Sequence, residues 1–261
     1  MRGESSVNEQ VTTPMQILQT GDIVRTWRRD VTEPPVNDEL DILHDANGLF
    51  ILNKQAPIPV HPSGRYFKNS LTTILREKFP ERAFHTIHRL DLWTTGVLLL
   101  ATEERMAKIL HGQIEKQKMK KAYGVLAVGD FGNKPFKIDV PIGRVQGAHR
   151  GFGEGITEAR DCVTEFTPLL SNNHITFLKA EPLTGRTNQI RVHVKAAGGA
   201  ILNDPLYSPN PPREDEIDFM GLHCRQMDFI IGTDQPFCAK ANWPEGFLRY
   251  FSKNEVDASF N

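Results

Sequence analysis

His88-Arg89-Leu90-Asp91-Leu92-Trp93-Thr94-Thr95-Gly96 runs without a break into Val97-Leu98-Leu99-Leu100-Ala101. The second half is the most apolar stretch of the chain, and its length suits a buried strand. It falls far short of the roughly 18 residues that a membrane span needs. The first half sets an aspartate on a tight loop just ahead of that strand, between Arg89 and the hydroxyls of Thr94 and Thr95. A carboxylate so placed can serve as acid, base or nucleophile. The same residues also suit an Asx-type turn or a structural Asp–Arg pair.

Upstream, Leu40–Leu43 and Leu49–Leu52 predict two strands around the turn Asp45-Ala46-Asn47-Gly48. Ser70 is placed to cap a helix with Leu71, Ile74, Leu75 and Phe79 on its apolar face. Downstream, Thr102 is expected to cap a second helix whose inner stripe is Met106, Ala107, Leu110 and Ile114. Tyr123–Val128 and Ile175–Ala180 read as further strands. Residues 143–155, GRVQGAHRGFGEG, read as a mobile loop, and 209–218 as a polar, Pro-rich surface insertion. Strands and helices alternate irregularly, which predicts an α+β fold with a mixed sheet. Residues 1–30 look loosely organised, and Glu33-Pro34-Pro35-Val36 reads as a stiff connector.

Composition narrows the function classes. The chain has 261 residues, with AVILMFWYC at 39% and 20 glycines, as globular chains do. Cys162, Cys224 and Cys238 are few and far apart, which predicts reduced thiols rather than a disulfide framework or metal site. His85 and His88 lack an apparent third ligand. The first residues have no apolar signal core, so a cytoplasmic protein without membrane attachment is expected. Net charge is −1, yet residues 65–121 hold twelve bases against six acids. That asymmetry can focus positive potential on one face, or it can be an ordinary solvated surface.

Two further segments carry chemistry. Leu183–Val194, LTGRTNQIRVHV, fits either a strand or a helix ending at Gly198-Gly199. Arg191 lies among its apolar residues, and a buried guanidinium needs a carboxylate partner, for which Asp91 is the natural candidate. Tyr123, at the start of a strand behind Lys118, Lys120 and Lys121, can stack on a base or simply fill core. Trp93 can likewise touch a ligand or pack.

HRLDLWTTGVLLLA and TGRTNQIRVHVKAAGGAILNDPLY resemble the two signature motifs of the RluA-type pseudouridine synthases. The likeness runs in the family's order from Leu52-Asn53-Lys54 and VHPSG through Lys121-Ala122-Tyr123 to Leu222-His223, covering roughly residues 40–245. Within the family, the EPPV connector and IPVHPSGRYFKN are similar to the eukaryotic-type branch acting on tRNA and related RNAs.

The resemblance implies a mixed, mostly antiparallel bent sheet with flanking helices and a central basic cleft. A catalytic domain would occupy 38–261, behind an extension of 1–37 that is at most a remnant of an S4-type RNA-binding domain, with Gly21-Asp22-Ile23-Val24 as its suggestive fragment. The implied reaction isomerises uridine in RNA to pseudouridine without metal or cofactor; separately from the resemblance, a monomer is expected. tRNA is the first-ranked substrate and ribosomal RNA the second. Asp91 would open the reaction as nucleophile or base, with Arg191 holding it ionised and oriented. Tyr123 would pack on the flipped uracil and assist removal of the C5 proton. Arg89 would take the target's place in the stack. His88, Arg186, Asn188, Lys118, Lys120 and Lys121 would contact RNA. Asn188 stands where the family usually has His, Thr95 where Ser is common, and Gln55 where Pro is usual. Two other classes compete: a non-catalytic RNA-binding module, and a hydrolase or lyase that would need a second carboxylate beside Asp91.

Overall fold

The computed structural model describes residues 4–13, 15–27, 32–145, 149–172, 174–232 and 234–260. The chain divides into two units, Met1–Pro35 and Val36–Asn261. The first is more ordered than its composition suggests. Glu4–Val7 pairs antiparallel with Gln10–Val11 and with Val24–Trp27. Asn8 and Glu9 make the first reversal at φ 50 and 71. The Asn8 amide then donates to Asp22 at 2.8 Å and accepts the Ile23 N–H at 3.0 Å, so polar turn residues supply the order.

The second unit is built on a sheet of 11 described strands. Its main strands are β1 (Asp41–Ala46), β2 (Leu49–Lys54), β3 (Thr95–Ala101), β4 (Lys120–Val128), β5 (Phe136–Ile138), β6 (Thr164–Ser171), β7 (Ile175–Pro182) and β8 (Leu222–Ile231). They lie in the order β1-β2-β3-β8-β4-β7-β6-β5, antiparallel except for the parallel pair β3–β8. The expected mixed, mostly antiparallel α+β fold is therefore present. β1 and β2 reach further than predicted, because only Asn47 and Gly48 (φ 54 and 76) form the turn. Such paired positive φ angles suit a two-residue hairpin.

Val97–Ala101 is fully buried at the sheet's centre, where both faces are covered. Gly96, at φ 109, lets β3 and β8 meet; a Cβ there would sit 2.2 Å from the Cys224 carbonyl oxygen. Trp93 is buried in the same core.

Five described helices accompany the sheet: α1 (Leu71–Lys78), α2 (Glu104–Glu115), α3 (Gln189–Ala196), the short α4 (Glu245–Leu248) and α5 (Lys253–Phe260), whose Val256 and Phe260 pack with Phe177 of β7. Leu71, Ile74 and Leu75 are buried as expected, but Phe79 ends α1. Ser70 precedes α1 without capping it by its side chain, since its hydroxyl donates to the Phe67 carbonyl. Glu103, not Thr102, is the N-cap of α2. Ile114 faces out and Gln113 faces in, its amide donating to the Ile230 carbonyl at 2.7 Å and accepting the Ile230 N–H at 2.8 Å. Ranking by hydrophobicity misses a glutamine that stands in for a strand neighbour. The ambiguous segment 183–194 is helical from Gln189, and it ends with Gly198 at φ 89.

Residues 143–155 are not a simple loop. Ile142–Arg144, Arg150–Gly151 and Thr157–Arg160 form a separate antiparallel sheet, while 146–148 lie outside the described residues.

Candidate active site

β2 ends in Lys54, which is buried. Its Nζ donates to the carbonyls of Gln55 at 3.0 Å, Leu92 at 3.2 Å and Thr94 at 2.8 Å. Two of those carbonyls belong to the turn bearing Asp91, and the Thr94 N–H closes that turn on the Asp91 carbonyl at 3.1 Å. Burial lowers the Lys54 pKa from 10.5 to about 7, against the pull of nearby Asp91. Lys54 is thus a strut beneath the turn, and sequence reading passed over it. The available signal was a lysine ending a buried strand that is apolar from Leu49 to Leu52.

Asp91 and Arg191, 100 residues apart in the chain, meet at 3.1 Å. The Asp91 side chain keeps 28% of its exposure, so one face of the carboxylate stays open. Arg191 has a stronger partner that sequence reading did not select. Its Nε and Nη2 each donate to Asp204 at 2.8 Å in a bidentate pair. Asp204 is fully buried and also accepts the N–H groups of Leu206 at 2.8 Å and Tyr207 at 3.0 Å. The remaining Arg191 nitrogen, Nη1, is shared between Asp91 and the Asn188 side-chain oxygen at 3.0 Å. Burial by itself would depress the guanidinium, but the bonds and charge of Asp204, joined by Asp91, raise it above the usual arginine value. The result is a permanent cation fixed by one buried carboxylate and aimed at a second, accessible one.

Two cavities open on Asp91. One, of about 550 Å³, lies between the segment Pro59–Tyr66 and Arg89, Thr187, Asn188 and Arg191. The other, of about 270 Å³, is walled by Tyr123 and Leu222, with Lys121, Thr94 and Arg186 around it. Tyr123 lies opposite Cys224 in the β4–β8 register. Burial pushes its phenol well above the ordinary tyrosine value, with Cys224 and Asp91 acting in the same direction. The ring is therefore a neutral wall facing an ionisable carboxylate. Among the described residues, no group of three or more His, Cys, Asp or Glu could hold a metal ion.

Residues 48–196 match the family model for RNA pseudouridylate synthase. The chain belongs to the RNA pseudouridylate synthase family. It is 34% identical over 209 residues to mouse pseudouridylate synthase RPUSD2, covering 79% of this chain and 37% of that protein. It is 29% identical to the mitochondrial tRNA pseudouridine(32) synthase of Saccharomyces cerevisiae, covering 79% of this chain and 45% of that protein. This chain thus spans less than half the length of these two curated relatives. Human RNA pseudouridylate synthase domain containing 1 superposes with a TM-score of 0.68 at 26% identity, covering 84% of this chain and 89% of that one.

Around Asp91 the other candidate residues divide. Arg89 is exposed and donates to the Thr187 hydroxyl at 2.8 Å, joining the Asp91 turn to the segment before α3. His88 lines the smaller cavity, but its Nε2 accepts the Leu99 N–H at 3.1 Å; desolvation, with Lys121 nearby, holds its pKa down to about 3. It acts on β3 as a neutral acceptor. Exposed Arg186 borders the same cavity, its Nε donating to the Asp161 carbonyl. Lys121 reaches the smaller cavity and is lowered by burial. Lys118 lines neither cavity, and Lys120 borders a different one with Lys179 and Lys240.

The positive bias of 65–121 is likewise only partly available. Arg82 pairs with Asp45 and lies over the rings of Phe50, Phe79 and Phe84, while Lys78 and Lys108 pair with Asp38 and Glu104.

Proposed function

We propose that this chain isomerises uridine in RNA to pseudouridine, with tRNA as its substrate class. The observation that carries the reading is the open face of Asp91, presented by Arg191 between two cavities, one of them closed by the Tyr123 ring. In the reaction the N1–C1′ glycosidic bond breaks, the uracil turns and C5 bonds to C1′; C5 then gives up its proton and N1 ends protonated, a net shift of one proton from C5 to N1. The product is an isomer, so no group has to be supplied.

Asp91 initiates the cleavage, and Arg191 stabilises its charge without covering it. Tyr123 and Leu222 pack on the extruded uracil. Burial keeps the resting Tyr123 phenol neutral, which suits its packing role, and its hydroxyl lies beside the same cavity for the later loss of the C5 proton. Base extrusion is required because a stacked uridine has no room to turn. Arg89 fills the gap it leaves, after exchanging its bond to Thr187 for RNA. Lys118, Lys120, Lys121 and Arg186 take phosphates, and Asn188 borders the larger cavity where a neighbouring nucleotide lies. The tRNA assignment draws on the yeast relative's name and on the sequence of the VHPSGRYFKN segment.

The test is pseudouridine mapping on total cellular RNA incubated with wild-type protein or Asp91→Asn. The expected result is new sites, in tRNA, that vanish in the variant while RNA binding persists. Sites that persist in Asp91→Asn would remove Asp91 from the reaction. A folded, RNA-binding wild type that makes no site would favour a binding module.

A further inference from the structure

Tyr207 lies outside the two cavities yet touches Arg191 and two of the residues that hold it, Asp204 and Asn188. Its ring is 5.0 Å from the Arg191 Cζ. Its hydroxyl accepts the Asn188 side-chain N–H at 3.0 Å and donates to the Arg150 carbonyl at 3.1 Å. Asn188 in turn accepts from Arg191 Nη1, the nitrogen that also bonds Asp91. Four hydrogen bonds thus run from a backbone carbonyl of the small sheet at 142–160 to Asp91. Their sense is consistent, because the phenol has a single proton to give and an amide nitrogen can only donate. Asn188 holds its place in the relay from a left-handed backbone, φ 57, which asparagine tolerates better than most residues. An apolar contact runs alongside: Ile142 of the small sheet packs with Cys162, Tyr207 and Val192, the neighbour of Arg191 on α3.

The small sheet buries little of its own. Its strands are two to four residues long, and Ile142 and Gly143 are the described strand residues it buries. Elements with so few buried contacts open at low cost. It carries His149, Arg150, Phe152 and Arg160 at or near its surface, while Arg144 is paired with Glu158 at 3.1 Å. Arginines beside an exposed ring suit the phosphates and base faces of single-stranded RNA.

We propose that Tyr207 is a positioning residue through which RNA held by the sheet at 142–160 sets the orientation of the Arg191–Asp91 pair. The proposal rests on the pseudouridine synthase reading above. RNA on the sheet draws the Arg150 strand, the Tyr207 hydroxyl follows, and Asn188 re-aims the Nη1 hydrogen bonds. RNA bound only at the cavities leaves the pair in its resting geometry.

The experiment is a cycle of Tyr207→Phe, Phe152→Ala and the double variant, read by single-turnover rate at saturating RNA and by RNA affinity. Tyr207→Phe keeps the ring against Arg191 and removes both hydroxyl bonds. It is expected to slow the step about fivefold, the worth of one net hydrogen bond, with affinity unchanged. Phe152→Ala is expected to weaken binding in both backgrounds, but to slow the saturated step only when Tyr207 is present. A merely structural role for Tyr207 would not make the Phe152 rate effect disappear. Rate losses that multiply, or a Tyr207→Phe enzyme as fast as wild type, overturn the proposal. Should Tyr207→Phe fold poorly, Asn188→Gly breaks the relay one link nearer Asp91 and keeps the left-handed backbone. A wild type that forms no pseudouridine overturns the functional reading and the coupling together; an active wild type with independent losses overturns the coupling alone.

Discussion

Replacing Asp204 with Asn tests whether the Arg191–Asp91 pair depends on a buried counter-ion. Asp204 is fully buried and accepts two bonds from Arg191 and two backbone N–H groups, all between 2.8 and 3.0 Å. The variant keeps the volume but removes the charge. It also turns an amide N–H2 toward a donor, since every neighbour of that carboxylate is a donor. Removing one partner of a buried pair costs roughly 3–5 kcal/mol, because the remaining charge is left uncompensated. At roughly 2–4 °C per kcal/mol for a unit of this size, the melting point should fall by about 6–20 °C. The loss lies within a typical domain stability of about 5–15 kcal/mol, so the variant should fold at 25 °C.

Arg191 would then be held mainly by Asp91 and Asn188, and would close over the carboxylate it now presents. The expected result is a single-turnover rate lowered by at least about tenfold, the equivalent of 1.4 kcal/mol, with RNA affinity within twofold. Urea or thermal unfolding beside pseudouridine formation supplies both readouts. A variant with wild-type stability and wild-type rate would refute the claim that Asp204 carries Arg191. Lost stability with an unchanged rate would show that Asp91 needs no aimed guanidinium.

Two further outcomes follow from the surface and from the core. Lys118→Ala with Lys120→Ala should weaken RNA binding and reduce the slope of log Kd against log salt by about 0.7 for each phosphate no longer neutralised; an unchanged slope would place the RNA elsewhere. His223 is fully buried against Trp243 with its Nδ1 bonded to the Thr95 hydroxyl at 2.8 Å, and burial, with Arg225, lowers its pKa from 6.5 to about 3. The unfolded chain takes up that proton near 6.5 while the native state does not, so stability is lost as pH falls from 6.5 toward 3. Chemical denaturation between pH 6.5 and 4.5 should show a slope up to about 1.4 kcal/mol per pH unit steeper in wild type than in His223→Gln. Equal slopes would show that His223 takes up its proton in the folded state.

Elements with a local signal were legible in the residues alone. Val97–Ala101 is apolar throughout and becomes the buried central strand. Leu71, Ile74 and Leu75 share one helical face. Asn47-Gly48 can form a hairpin turn because both residues accept positive φ. The order of motifs from Lys54 to His223 was enough to identify the family, and Asp91, Tyr123 and Arg191 do meet around one pair of cavities. Whatever depends on distant partners was settled only by folding. The strand-or-helix ambiguity at 183–194 ended when Ile190 and Val194 packed into the core as a helical face. Arg191 was readable as a buried cation in need of a carboxylate, and Asp91 was the candidate the sequence offered, while Asp204 carried no signal of its own. Only the fold gives Asp204 the bidentate, fully buried place and leaves Asp91 half open. The positive run at 65–121 looked uniform, yet Arg82 is engaged by Asp45 and three phenylalanines, because a guanidinium's availability is set by its neighbours and not by its charge. Lys54 shows the same limit: its place after an apolar run was visible, but its three bonds go to backbone carbonyls, which every residue carries, so its role as a strut was not.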